Sequence, residues 1–151
     1  MKKLQCAAML FLMIPTLLLS GCGYANKEDV VLAQKIVAYE KEKYDKLPVS
    51  GRLIEGTRVV EIQAYQFYFE PATVVVNKGE KIRLIISAED VPHGFEIEGI
   101  HIDGYDIETV IRKGFPLTLE FTADEEGIWD MICTIYCGFG HSTMKGTFVI
   151  R

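Results

Sequence analysis

Three patterns of hydrophobic and polar positions follow one another along the chain. From Leu4 to Leu19 the residues are mostly apolar, with Pro15 interrupting the run and Lys2 and Lys3 ahead of it. Residues 24–47 are polar and charged, and their apolar positions recur at a helical period. Val30, Ala33, Val37 and Tyr44 fall roughly on one face, with Ile36 beside them. Asn26 can cap this helix, Glu28 and Asp29 suit its first turn, and Leu47 stands before Pro48, which ends it. Residues 48–56 read as a linker. From Thr57 the period falls to two: Val59, Glu61, Gln63 and Tyr65 alternate with Val60, Ile62 and Ala64, as in a strand with one buried face. Residues 73–76 form a second candidate strand, Asn77-Lys78-Gly79-Glu80 is a turn signal, and Ile82, Leu84 and Ile86 mark a third. Further candidates cover 95–102, 106–111, 117–121, 128–133 and 146–150. Short strands with no long helix between them predict an all-β domain, an antiparallel sandwich or barrel, behind one short helix.

The first 21 residues have the layout of an export signal: a positive start, an apolar stretch and small residues at its end. Leu19-Ser20-Gly21-Cys22 resembles a bacterial lipobox, whose Cys is diacylated and becomes the first residue of the mature chain. The alternative is an uncleaved transmembrane anchor, for which the run is a little short. Either way the expected location is the extracytoplasmic face of a bacterial membrane, with Cys22 as the lipid attachment point. The expected division is a lipoprotein signal peptide over 1–21, a lipid-anchored helical spacer and linker over 22–56, and the β domain over 57–151. The formal charge is −5. Without Lys2 and Lys3, 14 of the 16 basic residues remain against 21 acidic ones, a balance of −7. That argues against nucleic acid as a partner, since nucleic acid selects basic surfaces.

Four cysteines are present. Cys6 lies in the apolar leader and Cys22 at its end, so Cys133 and Cys137 remain as a pair. They open the stretch Cys-x3-Cys-x3-His-x2-Met, which ends with His141 and Met144. Two thiols, an imidazole and a thioether make a soft donor set that suits copper better than any hard cation. Zinc accepts Cys and His but rarely recruits Met. A disulfide between Cys133 and Cys137 is the other reading for an exported chain; it explains neither His141 nor Met144. Upstream, Asp90-Val91-Pro92-His93 lies between two candidate strands and offers a second imidazole at the same end of the sandwich.

The Asp-Val-x-His element followed by Cys-x3-Cys-Gly-x2-His-x2-Met resembles the binuclear CuA domain of cytochrome c oxidase subunit II, with the ba3 type as the nearest form. The resemblance covers roughly 57–151. It implies a cupredoxin-like Greek-key β-sandwich with two copper ions. Cys133 and Cys137 would bridge the coppers, His93 and the weak axial Met144 would bind one, and His141 with the backbone carbonyl of Ile135 would bind the other. Subunit II proteins commonly carry Glu at that last position, where it also helps hold magnesium at the subunit interface; Ile135 offers no carboxylate. The family's function is electron transfer from cytochrome c or another small donor to the haem-copper oxidase subunit I. No catalysis is expected of this chain alone.

The resemblance also aligns Phe67, within Tyr65-Gln66-Phe67-Tyr68-Phe69, with the aromatic stretch where electrons enter. Core packing is the other role for these rings. Asp90 is expected to orient His93 by a hydrogen bond or to serve the turn. His101 is expected on the surface and Trp129 in the core. The acidic run Glu96, Glu98, Asp103, Asp106 and Glu108 is a solvated edge that could steer a basic cytochrome. Two other functions remain open: copper storage or delivery, and electron entry for nitrous-oxide reduction.

Overall fold

The computed structural model describes residues 27–151; the expected signal segment, Cys6, Cys22 and the Asn26 cap lie outside the described residues. The described residues open with α1 (Lys27–Asp45) and continue as β1 (Arg52–Ile54), β2 (Thr57–Tyr65), β3 (Tyr68–Glu70), β4 (Thr73–Val76), β5 (Lys81–Ala88), β6 (Glu96–Ile97), β7 (Leu117–Thr122), β8 (Gly127–Ile132) and β9 (Lys145–Ile150). A single 3-10 turn, His141–Thr143, precedes β9. Two sheets face each other. One runs β1-β2-β5-β7 with β3 also on β2, and the other runs β4-β9-β8-β6.

Side-chain alternation builds the core between the sheets. Val60, Ile62 and Ala64 of β2 point inward with Ile82, Leu84, Ile86 and Ala88 of β5, while Glu61 and Gln63 face water. From the second sheet come Val74, Val76, Met131, Phe148 and Ile150, and Phe69 meets Phe95 edge to face. The expected sandwich is there, but it is not wholly antiparallel. β2 runs parallel to β5, and β4 runs parallel to β9. Local periodicity reports only which face of a strand is apolar, so it carries no information on direction.

Two expected strands are shorter or absent. Of 95–102 only β6 is extended, because Gly99, at φ +90°, turns the chain after it. Residues 106–111 form a loop, from which Ile111 exchanges backbone hydrogen bonds of 3.1 and 2.8 Å with His93. The expected linker, in turn, contains β1. It folds back on β2 through Glu55 and Gly56, whose positive φ values of 48° and 80° make the mirror-image turn that suits a two-residue hairpin.

The helix forms where expected, but it docks by its last turn. Tyr44 is buried against Val75 and Val149, neighbours in the β4–β9 pairing whose side chains lie on the outer face. Val30 and Ile36 of the expected apolar face are about half exposed, at 45% and 55%. The Arg151 guanidinium donates to the carbonyls of Tyr44 and Asp45 at 3.0 and 2.6 Å, capping the helix end. Among the described residues no helix is long and apolar enough to cross a membrane.

Candidate metal centre

One end of the sandwich gathers the sulfur and imidazole groups. β5 delivers the loop carrying Asp90 and His93, β8 leads into Cys133, and the 133–144 segment returns the chain to β9. The two loops are in close contact: a Cβ on Gly94 would come within 2.0 Å of the Thr134 hydroxyl oxygen. Thr134 in turn donates to the Ile107 carbonyl at 2.6 Å, tying the 105–111 loop to the same end.

His93 is fully buried, and Asp90 sets its orientation. Asp90 Oδ1 lies 2.8 Å from His93 Nε2, while the carboxylate also accepts the backbone N–H groups of Gln66 at 2.7 Å and Val91 at 2.6 Å. Burial opposes ionisation of Asp90, but these N–H groups and the His93 ring outweigh it and hold the carboxyl below its usual range. With Nε2 donating to a carboxylate, Nδ1 keeps its lone pair free for a ligand. That nitrogen faces Cys133 Sγ at 3.7 Å.

The remaining donors continue from there. Cys133 Sγ lies 3.9 Å from Cys137 Sγ, and both are free thiols that are almost fully buried. Cys137 Sγ lies 3.6 Å from His141 Nδ1 and 3.8 Å from Met144 Sδ. The Ile135 carbonyl is 3.2 Å from Cys133 Sγ. The metal-ligating atoms of His93, Cys133 and Cys137 all fall within 4.8 Å of one another. Two donors about 2.0–2.3 Å from a shared ion stand roughly 3.3–3.8 Å apart in a tetrahedral arrangement, and the neighbouring donors, at 3.6 to 3.9 Å, lie at or just beyond that range. Burial, with Cys133 alongside, pushes the Cys137 thiol up to about 11. Two thiolates side by side in this interior need a cation, and the thioether and imidazoles make a soft one the best match.

Phe67 lies beneath the metal loop, half-buried and packed on the core. A Cβ on Gly140 would come 2.4 Å from its ring, so only glycine lets the loop pass there. Tyr136 and Phe139 stand exposed on the loop itself, and the Tyr136 ring meets that of His141 edge-on at 5.7 Å between centroids. His101 stays outside the group, exposed and 3.4 Å from Asp103. Trp129 is half-buried at the core margin, over Gly127 and Gly99. Sequence reasoning missed Gln66, whose side-chain amide donates to the Cys137 carbonyl; a polar residue amid Tyr65, Phe67, Tyr68 and Phe69 was the available signal.

Comparison with known proteins places the fold. Residues 32–150 match the family model of the cupredoxin-like domain. The chain is 34% identical over 92 residues to cytochrome c oxidase subunit 2 of Thermus thermophilus, covering 61% of this chain and 64% of that one. It is 32% identical over 119 residues to quinol oxidase subunit 2 of Sulfolobus acidocaldarius, covering 76% and 67% respectively. The chain thus spans only about two thirds of these relatives. The crystal structure of the periplasmic domain of subunit II of cytochrome oxidase from Bradyrhizobium japonicum superposes with a TM-score of 0.53 at 17% identity, covering 66% of this chain and 88% of that one, a likeness of fold. By its sequence and its architecture, the chain belongs to the cupredoxin-like family.

Proposed function

We propose that this chain is a copper electron-transfer protein of the kind found as subunit 2 of terminal oxidases, and that its centre is binuclear. The observation that carries the reading is the order of donors: two thiols 3.9 Å apart, each with the Nδ1 of a different histidine beside it. A mononuclear blue-copper site needs one thiol. Here Cys133 and Cys137 would be shared between two ions, His93 and Met144 would serve one, and His141 and the Ile135 carbonyl the other. Bound copper would supply a one-electron couple, and sharing two thiolates would spread that electron over both ions.

The protein's own contribution is rigidity and exclusion of water. His93 is fully enclosed and oriented by Asp90, Met144 is buried at 1% exposure, and both cysteines are 6% exposed. Ligands held this way move little when the charge at their centre changes, and small movement makes electron transfer fast. With these donors bound, the ions would have no open position for a substrate, which favours relay over bond making. Phe67, packed under the metal loop, is the proposed entry point for electrons from cytochrome c or a similar small donor. The proposed acceptor is the haem-copper subunit of an oxidase. Lipidation at Cys22 would hold the domain on the extracytoplasmic face of the membrane.

Loading the purified chain with copper tests the centre. The expected product is purple, carries two coppers per chain, and shows electron paramagnetic hyperfine structure from two equivalent nuclei. A blue product with one copper would refute the binuclear reading.

A further inference from the structure

The connection between β2 and β3 supplies no metal ligand, yet it touches both loops that do. Tyr65 ends β2 and Tyr68 begins β3, so Gln66 and Phe67 form the whole connection. The Gln66 backbone N–H donates to Asp90 Oδ2 at 2.7 Å, and Asp90 Oδ1 holds His93 Nε2 at 2.8 Å. The Gln66 side-chain amide donates to the Cys137 carbonyl. An unbroken series of hydrogen bonds therefore runs from His93 through Asp90 and Gln66 to Cys137. The Asp90–His93 loop leaves β5 in one sheet, while the Cys137 loop joins β8 to β9 in the other. Gln66 bridges the two sheets at the end where the donors meet.

The loop is shaped to receive this bridge. A Cβ on Gly138, which sits at φ +132°, would come 2.9 Å from Gln66 Nε2 and 3.1 Å from the Phe67 ring. Gly140 is tighter still against Phe67. Glycine on both sides of Phe139 lets the backbone lie flat on the connection, within reach of the amide. Glutamine has the needed length and an N–H to give; a carboxylate or thioether of similar length has no such donor.

We propose that Gln66 is a positioning residue that fixes the His93 loop against the Cys137 loop, and that copper retention depends on it; this rests on the copper reading above. Gln66 is exposed, so its substitution leaves the core packing untouched. Gln66→Met keeps the length and removes the donor, whereas Gln66→Lys keeps an N–H donor. The Met variant is expected to hold copper about tenfold less tightly in competition with a chelator, the scale of outer-sphere effects on metal affinity. Its hyperfine pattern should change as well, and the Lys variant should recover both properties at least in part.

A metal-free measurement accompanies these. Amide exchange at His141 and Thr143, which bond to the Gly138 and Gly140 carbonyls, should quicken in the Met variant, while exchange at Val60 and Ile62 stays as in the wild type. Wild-type affinity together with wild-type exchange in Gln66→Met would overturn the proposal. Failure of the wild-type chain to take copper would instead overturn the metal reading, and the exchange comparison would still decide whether Gln66 holds the loops together.

Discussion

At the scale of single residues, Cys137 separates one class of copper centre from another. With His93, His141, Met144 and Cys133 alone, the donor set would be that of a one-thiol site. Cys137 stands four positions after Cys133 and brings a second sulfur into the same buried space. Cys137→Ser replaces a soft donor by a hard one of similar size. The expected result is loss of the two-nucleus hyperfine pattern and at most one copper per chain, read by metal analysis and paramagnetic resonance. An unchanged spectrum would exclude a shared thiolate. The gathering of Cys133, Cys137, His141 and Met144 was foreshadowed because they lie within twelve residues, where spacing alone suggests a ligand set. His93 was legible through its Asp-Val-Pro-His context. Gln66 was not, because its partner Cys137 lies 71 positions away and a polar residue amid aromatic ones, the sole local sign, does not name that partner.

At the scale of elements, the clearest readings were those with the strongest alternation. β2 and β5 fell where period two placed them, with the expected residues inward. β1 escaped notice because Glu55-Gly56 lacks the usual Asn-Gly or Asp-Gly signature, and because every residue of β1 is exposed. The helix shows the opposite difficulty: its existence was legible, its attachment was not. Amphipathic spacing suggested a face running its length, whereas among the described side chains of the helix only Tyr44 is deeply buried, and Arg151 secures the end. Tyr44→Ala should weaken this docking by about 3 kcal/mol, the scale for removing a buried aromatic ring. Faster amide exchange throughout α1 with an unaltered copper spectrum is the expected outcome. A changed spectrum would show that the helix reaches the metal centre energetically.

At the scale of the whole molecule, the two ends of the sandwich carry different duties. The end away from the donors is fastened by polar contacts. Arg58, at the start of β2, makes a two-pronged pair with Glu80 at 2.7 and 3.2 Å, and Asn77 adds backbone and side-chain N–H groups to the same carboxylate. The Arg58 hydrogen bond, opposed by burial and assisted by Asn77, holds Glu80 below its usual range. A carboxyl depressed in the folded state stabilises the fold above its unfolded value, about 4.3, and that stabilisation disappears as pH falls through the folded value. Glu80→Gln should therefore lower stability by about 2 kcal/mol near neutral pH. Thermal melting followed across pH should show the two proteins converging in acid; a constant gap would assign the effect to packing instead.

The parallel pairing of β4 with β9 joins Thr73 to Thr147, so the second sheet closes only when distant parts of the chain meet. Such closure is slow relative to local turns. Cys133, Cys137, His141 and Met144 are neighbours from the moment they are synthesised, but His93 and its Asp90 partner join them only when the sandwich is built. A metal ion arriving early therefore finds a short sulfur-rich peptide open to any soft cation. One arriving late finds buried thiols with the His93 imidazole already aimed. The order of folding and metal arrival thus decides how many of these side chains a metal first meets.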